Sequence, residues 1–478
     1  MLTIIEAPRG EAMASFDPVL AETRFGCGLG PGLTPAVDAG EMMSRLSGPD
    51  EAAQRFRIED FGAFAPRMAR THELRKALRK VRGTEGETAA RKAIKLERAS
   101  ARKAQRGWLW HAMMRRAHTR DGLRERLAFF WSDHFTAVGK AGVLRRANAP
   151  YVEAAIRPHL TGSFAEMLRA VATQPLMLHY LDQVYSAGPN SIQAERTANN
   201  PRKKGLNENL AREILELHTL GVDGPYDQED VRELAELLTG LSYSPQGGFK
   251  FRKAMVEPGA ETVLGVSYGG GKAKLGDILR ALDDLAHRPE TGRHIARKLA
   301  VHFLGDRPEE DVVSHVAQRF IETGGNLAEV TAALLEHPAA WDGVRPGNVK
   351  QPVDFIGSTL RALAVPPEAL DVAQERRISA VIEAPMTLMG QRWERPLGPD
   401  GWPEDDDAWI TPQRMAARLE WAMTVPALLR PDLPDPRDFV ETALGGRAPE
   451  ELMFAARAAE DRSTGVGLIL ASPAFQRM

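Results

Sequence analysis

Asn207-Glu208-Asn209-Leu210-Ala211-Arg212-Glu213-Ile214-Leu215-Glu216-Leu217-His218-Thr219-Leu220-Gly221 is the stretch from which the fold class is read. At 100° per residue, Leu210, Ile214 and Leu217 form one apolar stripe, the period of a helix that buries one face. Asn207 and His218 fall beside that stripe, while Glu208, Arg212 and Glu216 climb another face in steps of four. Gly221 stands where a helix closes through left-handed backbone. Asp227 then offers an N-cap for the next helix, Tyr226 and Val231 occupy the two positions of a hydrophobic staple, and Gly240 stands at its far end. The expectation is a tight helical hairpin.

The same period recurs from Phe164 to Ala172 and from Leu275 to Leu285, so helices should dominate. Arg75 to Arg106, rich in Lys, Arg, Ala and Glu and broken once at Gly83-Thr84-Glu85-Gly86, reads as two exposed helical arms. Phe249-Lys250-Phe251-Arg252 alternates instead, and Pro258-Gly259 supplies a turn before Thr262-Val263-Leu264, which reads as one small β-hairpin. The fold class expected is therefore mainly α, a multi-helical globular body with one small β-hairpin. The expected organisation is an N-terminal helical region, 1–121, carrying the charged arm at 75–106, and a main helical body, 122–478.

Composition excludes several classes of function. With 62 basic and 64 acidic side chains the formal net charge is −2, so no global field draws the chain onto nucleic acid or an anionic bilayer. The arm is basic, but Glu73, Glu85, Glu87 and Glu97 lie along it without aromatics, which fits a solvated face and argues against nucleic acid. The single cysteine, Cys27, excludes an intrachain disulfide and a thiolate-rich metal site. Met1 to Pro8 lacks the basic start and apolar run of a secretory signal, and no later segment has the length of a membrane span, so cytoplasmic residence is expected.

Several polar residues stand at positions that invite chemistry. His218, at the edge of the apolar stripe, is suited to hold a metal, to move a proton, or simply to make a core hydrogen bond. Glu208, Arg212 and Glu216, with Glu213 offset, form either a surface charge ladder or, if buried, carboxylates and a guanidinium in need of a ligand. Asp133-His134 follows the aromatic run Phe129-Phe130-Trp131, and the two share a site only if the helix ends there, as Thr136 to Gly139 indicates. A centre drawing on Asp133, His134, His218, His302 and Glu208 would have the ligand chemistry of a helical-bundle metal site, although the Glu-x-x-His signature is missing. Gly401-Trp402-Pro403, the acids Glu404 to Asp407 and Trp409 make a rigid loop whose tryptophans either stack a ligand or plug the core. Gly26 to Gly32 and Gly269-Gly270-Gly271-Lys272-Ala273 lack the context of nucleotide-binding loops and read as turns, and no Gly-x-Ser-x-Gly or His-Glu-x-x-His motif occurs.

Taken together, Phe130-Trp131-Ser132-Asp133-His134-Phe135, the 207–221 phrase, Arg297-Lys298-Leu299, His302-Phe303, Pro352-Val353-Asp354-Phe355, Gln391, Gly401-Trp402-Pro403 and Trp409-Ile410 resemble a bacterial family, domain of unknown function 1800, from about Arg24 to the C-terminus. The resemblance implies a mainly helical fold and no established activity. For many relatives it also implies export and a neighbouring gene for a phosphatase- or sulfatase-like protein, which would be the partner. This chain departs from the pattern in lacking the export signal and in carrying Val256-Glu257 where relatives place a His-Asp pair. Two functions of different class are compatible with these residues. One is a binding or scaffold protein acting with a partner protein. The other is an enzyme with a His/Glu/Arg centre, metal-assisted hydrolysis among its options, in which His134 or His218 is the base, Glu208 or Glu213 the acid or a ligand, and Arg212 or Lys298 holds an anionic substrate. Candidate ligand-binding residues are Asn207, Arg212, Lys298, Gln391, Trp402 and Trp409, candidate metal ligands are Asp133, His134, His218 and His302, and the sequence leaves the cofactor open.

Overall fold

The computed structural model describes residues 15–199, 205–244, 246, 248–344 and 347–478, and the Met1 to Pro8 segment lies outside them. Helices dominate. The charged stretch forms α1 (Phe61–Lys80) and α2 (Glu87–His118), separated at the expected glycines. The two helices lie against each other, with Arg67 and Arg70 of α1 reaching Ser100 and Glu97 of α2 at 3.2 and 3.0 Å. Beyond Gln105, α2 turns apolar and dives inward.

There α2 divides two apolar cores. Its Trp108 enters the first, which is built from residues between Leu20 and Trp341. Leu109, Trp110, Met113 and Met114 enter the second, shared with Phe56 and with segments from Val353 to Phe475. Next comes α3 (Gly122–His134), started by Asp121, whose carboxylate accepts the Arg124 N–H at 3.0 Å.

The 207–221 stretch is helical, but not regularly so. After α4 (Asn209–Glu213) the turn widens over Ile214–Thr219, where the Leu220 N–H reaches the Leu215 carbonyl at 3.0 Å and the Thr219 hydroxyl the Ile214 carbonyl at 2.7 Å. An i to i+5 pattern puts an extra residue in the turn and rotates the residues beyond it. Leu210, Ile214 and Leu215 are fully buried and His218 is carried inside with them, while Leu217, expected in the stripe, is only half-buried. Gly221 has the expected left-handed φ, 89°. The following helix, α5 (Gln228–Leu237), opens on a reciprocal cap in which Asp227 accepts the Asp230 N–H at 3.0 Å and donates its own N–H to Asp230 at 3.2 Å.

Strands occur at both sites read from the sequence, with a different pairing. β1 (Leu241–Tyr243) pairs antiparallel with β2 (Phe249–Phe251), and β3 (Ala260–Val263) with β4 (Val266–Gly269). Each strand thus takes its nearest partner in sequence, where closing the loop costs least. The β3–β4 turn is Leu264-Gly265, both at positive φ (50° and 78°), the geometry whose twist suits a two-residue hairpin.

Four of the further helices bear on the site and its surroundings: α6 (Pro289–Leu304), α7 (Pro352–Ala362), α8 (Pro412–Leu429) and α9 (Arg462–Ala471). α7 packs along α2, α8 packs on α9, and charged groups are enclosed where the cores meet. Asp354 of α7 lies 2.6 Å from Arg116 of α2 and 2.6 Å from Arg126 of α3. Buried carboxylates persist only when paired in this way. No described helix is long and apolar enough to cross a membrane.

Candidate active site at the seam

Phe130 and Trp131 fix the last turn of α3 in the first core, and the helix stops at His134, with the Phe135 N–H on the Trp131 carbonyl at 3.0 Å. The two polar residues at its end diverge. Asp133 faces the 401–409 loop, where its carboxylate oxygens each lie 3.0 Å from the Trp402 N–H. Gly401 makes that approach possible. It holds φ at 88°, and a Cβ there would lie 2.5 Å from Asp133 Oδ2. His134 turns the other way, its Nε2 3.2 Å from the His218 carbonyl oxygen. Its ring centroid is 6.1 Å from that of His218 and 6.1 Å from that of His294.

α6 supplies the opposite wall. His294, Lys298 and His302 recur every four residues and so share one face. His294 Nε2 meets the Leu217 carbonyl at 3.0 Å, and His302 Nδ1 meets Glu404 Oε1 at 2.8 Å. Between them Lys298 is half-buried, and among the described residues its ammonium has no hydrogen-bond or ion-pair partner.

Burial governs the electrostatics here. It lowers the Lys298 ammonium, although the carboxylates of Asp133, Glu404 and Asp400 pull the other way. It raises the Asp133 carboxyl well above the usual range, helped by Glu404 and Asp400 and opposed by Lys298 and the Trp402 N–H. His218 is pushed down to about 3 and His294 to about 4 by burial and then by the Lys298 charge, and His134 falls well below its usual value for the same reasons. All three are neutral imidazoles at neutral pH. Burial would raise Glu404, but His302 beside it and the charges of Arg126 and Lys298 together keep its carboxyl low. Glu213 is pushed up to about 7 by burial and by Glu216 and Asp400.

On its other side Asp133 lines a cleft with a cavity volume of about 100 Å3. Ser132, Phe129, Trp402, Gln391, Trp393 and Glu394 share that wall. Glu394 has φ 55°, uncommon for a residue with a side chain, and burial pushes its carboxyl up to about 7.

The sequence-derived candidates therefore separate. Asp133 and Trp402 meet at the cleft, Lys298 acts on the Asp133 carboxyl through its charge without lining the cleft, and His134, His218 and His302 belong to the same seam. Glu208 and Arg212 pair on the surface at 3.3 Å, with Gln228 on the same carboxylate at 2.9 Å, and Glu213 is half-buried nearer the seam. Asn207 donates its amide to the Leu181 carbonyl at 3.1 Å. Gln391 is spent on Val353 and Gln351 at 2.8 and 2.7 Å, and Trp409 is a plug whose indole N–H rests on the Pro403 carbonyl at 3.0 Å. His294, Glu404, Asp400, Trp393, Glu394 and Ser132 were missed. The four-residue spacing of His294, Lys298 and His302 was a signal available in the sequence, and nothing local marked Trp393 or Glu394.

Among the described residues the one group that brings three potential metal-ligand atoms within 4.8 Å of one another is Glu233, Glu236 and Glu261, away from the seam. The imidazoles of His134 and His294 are already engaged with backbone carbonyls.

The profile of a family described as protein of unknown function (DUF1800) matches residues 24–477. No curated protein and no solved structure shows significant similarity to the chain.

Proposed function

We propose that this chain, which belongs to the DUF1800 family, is an enzyme that performs acid–base chemistry at the cleft, with Asp133 exchanging a proton with the substrate and Lys298 as the positioning group behind it. The observation that carries the reading is Lys298, half-buried and without a hydrogen-bond or ion-pair partner among the described residues, near an aspartate that a glycine clamps at the wall of the cleft. Structural lysines are normally paired or solvated. A charge of this kind near a carboxyl of raised proton affinity makes the two groups titrate as a coupled pair. The Trp402 N–H fixes the carboxylate in one orientation, and Glu404 with His302 sets the field on the far side.

General acid–base catalysis contributes about 10²- to 10⁴-fold, so Asp133→Asn should lower kcat by that factor on any substrate the protein turns over. The test is a panel of chromogenic glycosides, esters, amides and phosphate esters with the full chain. The pH–rate profile of Lys298→Met should move relative to the native protein, which a purely structural lysine would not cause. Absence of turnover in every class, or equal turnover by Asp133→Asn, would overturn the reading. A stoichiometric partner protein, captured equally well by Asp133→Asn, would instead favour a scaffold.

A further inference from the structure

Resting on that reading of Asp133, we propose that the cleft takes a neutral, hydroxyl-rich molecule of the carbohydrate class. Charge disfavours anionic ligands. Three guanidiniums stand in the wall, and each is already occupied. Arg115 forks onto Glu153 at 2.6 and 3.1 Å, Arg157 onto Glu125 at 2.5 and 3.3 Å with Asp50 at 2.5 Å, and Arg116 is held by Asp354 at 2.6 Å. A phosphate or carboxylate entering here would find no unpaired guanidinium among the described lining residues, Lys298 not being one of them, and above about pH 7 it would also meet the ionised Glu394.

Enclosed polar atoms left without partners point to hydroxyl groups. The Trp393 indole N–H, a donor, and Glu394 Oε1, an acceptor, make no hydrogen bond among the described residues, although both residues line the cleft and the Ala149 N–H stands near enough to the Glu394 carboxyl to favour its charged form. The other Glu394 oxygen is fixed by the Gln105 amide at 2.7 Å, so the carboxyl cannot turn to satisfy itself. Ser132, also in the wall, makes no side-chain hydrogen bond among the described residues. Buried donors and acceptors are normally satisfied, and a hydroxyl, which gives one hydrogen bond and accepts another, is the group that suits both. Phe129, Trp393 and Trp402 add flat apolar surface for the C–H face of a sugar ring. A cavity of about 100 Å3 admits several waters, each needing about 10–15 Å3 by this measure, or one sugar ring.

The test uses isothermal titration and tryptophan fluorescence of the full chain with cellobiose, maltose, xylobiose, mannobiose and chitobiose, set against glucose 6-phosphate and galacturonic acid. At least one neutral disaccharide should bind more tightly than either acid. Trp393→Phe, which keeps the ring and removes the N–H, and Glu394→Gln should each weaken that binding by about tenfold, with the melting temperature of Trp393→Phe unchanged. Asp133→Asn should still bind. The inference is overturned if no neutral disaccharide binds with Kd below about 10 mM, if the acids bind more tightly, or if Trp393→Phe binds as the native chain does, since ordered water then satisfies these atoms. Binding without turnover of any glycoside, ester, amide or phosphate ester sinks the acid–base reading and leaves this one. Asp133-dependent turnover of an ester, with no sugar binding, does the reverse.

Discussion

The backbone N–H of Trp402 lies 3.0 Å from both carboxylate oxygens of Asp133, residues 269 positions apart, and a Cβ on the intervening Gly401 would occupy the carboxylate's place. Gly401→Ala should therefore lose the left-handed turn and the contact together. The backbone cost alone is about 1–2 kcal/mol, and a lower melting temperature by calorimetry, with loss of any Asp133-dependent activity, is the expected outcome.

Asp133→Asn should separate stability from function. The native carboxyl holds its proton above the ordinary value of 3.8, so the folded state loses stability as pH rises from there toward its own raised pKa. Asparagine does not ionise and still presents an oxygen to the Trp402 N–H. The variant should match the native protein near pH 4 and exceed it at pH 7, by about 1 kcal/mol, in melting curves taken at both.

The histidines predict the opposite slope. His218 binds a proton near pH 3 in the folded chain but near 6.5 when unfolded, and His294 near 4, so the unfolded state holds more protons between those limits. Stability contributed above pH 6.5 is lost as pH falls, at about 1.4 kcal/mol per pH unit for each such histidine. Urea denaturation from pH 7 to 4.5 should show this decline, and His218→Gln should flatten it by about one histidine's share.

The widened turn predicts which leucine matters. Leu215→Ala, at a fully buried position, should cost about 2–5 kcal/mol, and Leu217→Ala, half-buried, clearly less. Equal losses in chemical denaturation would mean that the turn is a regular helix in solution.

Asp354 lies between two guanidiniums, so Asp354→Asn leaves Arg116 and Arg126 facing each other without a counter-charge. Breaking a buried pair costs about 3–5 kcal/mol. Poor folding or a large fall in melting temperature is expected, whereas Glu208→Gln, on the exposed Arg212 pair, should change stability by less than about 0.5 kcal/mol.

Local chemistry made much of the fold legible. Asp227 caps its helix, Gly221 takes left-handed backbone and the glycines after Arg82 split the charged arm, because each depends on residues a few positions away. The strands near Phe249 and Thr262 were visible too, but not their partners, since propensity does not specify pairing. Leu217 was misplaced because a period of 3.6 cannot anticipate a turn that takes an extra residue. At the site, Asp133, Lys298, Trp402 and the histidines could be named from their types and spacing. That Glu208 and Arg212 lie outside, or that Glu404 faces His302 across 102 positions, depends on how separate helices pack.

By itself, then, the sequence determined the helices, their caps, the charged arm and the supply of acid, base and aromatic side chains, all of which arise from short-range backbone and rotamer preferences. Only the tertiary structure decided which of those side chains face one another. Burial, the approach of Gly401 to Asp133 and the charge of Lys298 near that carboxyl exist only where two cores close on a common seam, and proton affinities are set by that enclosure.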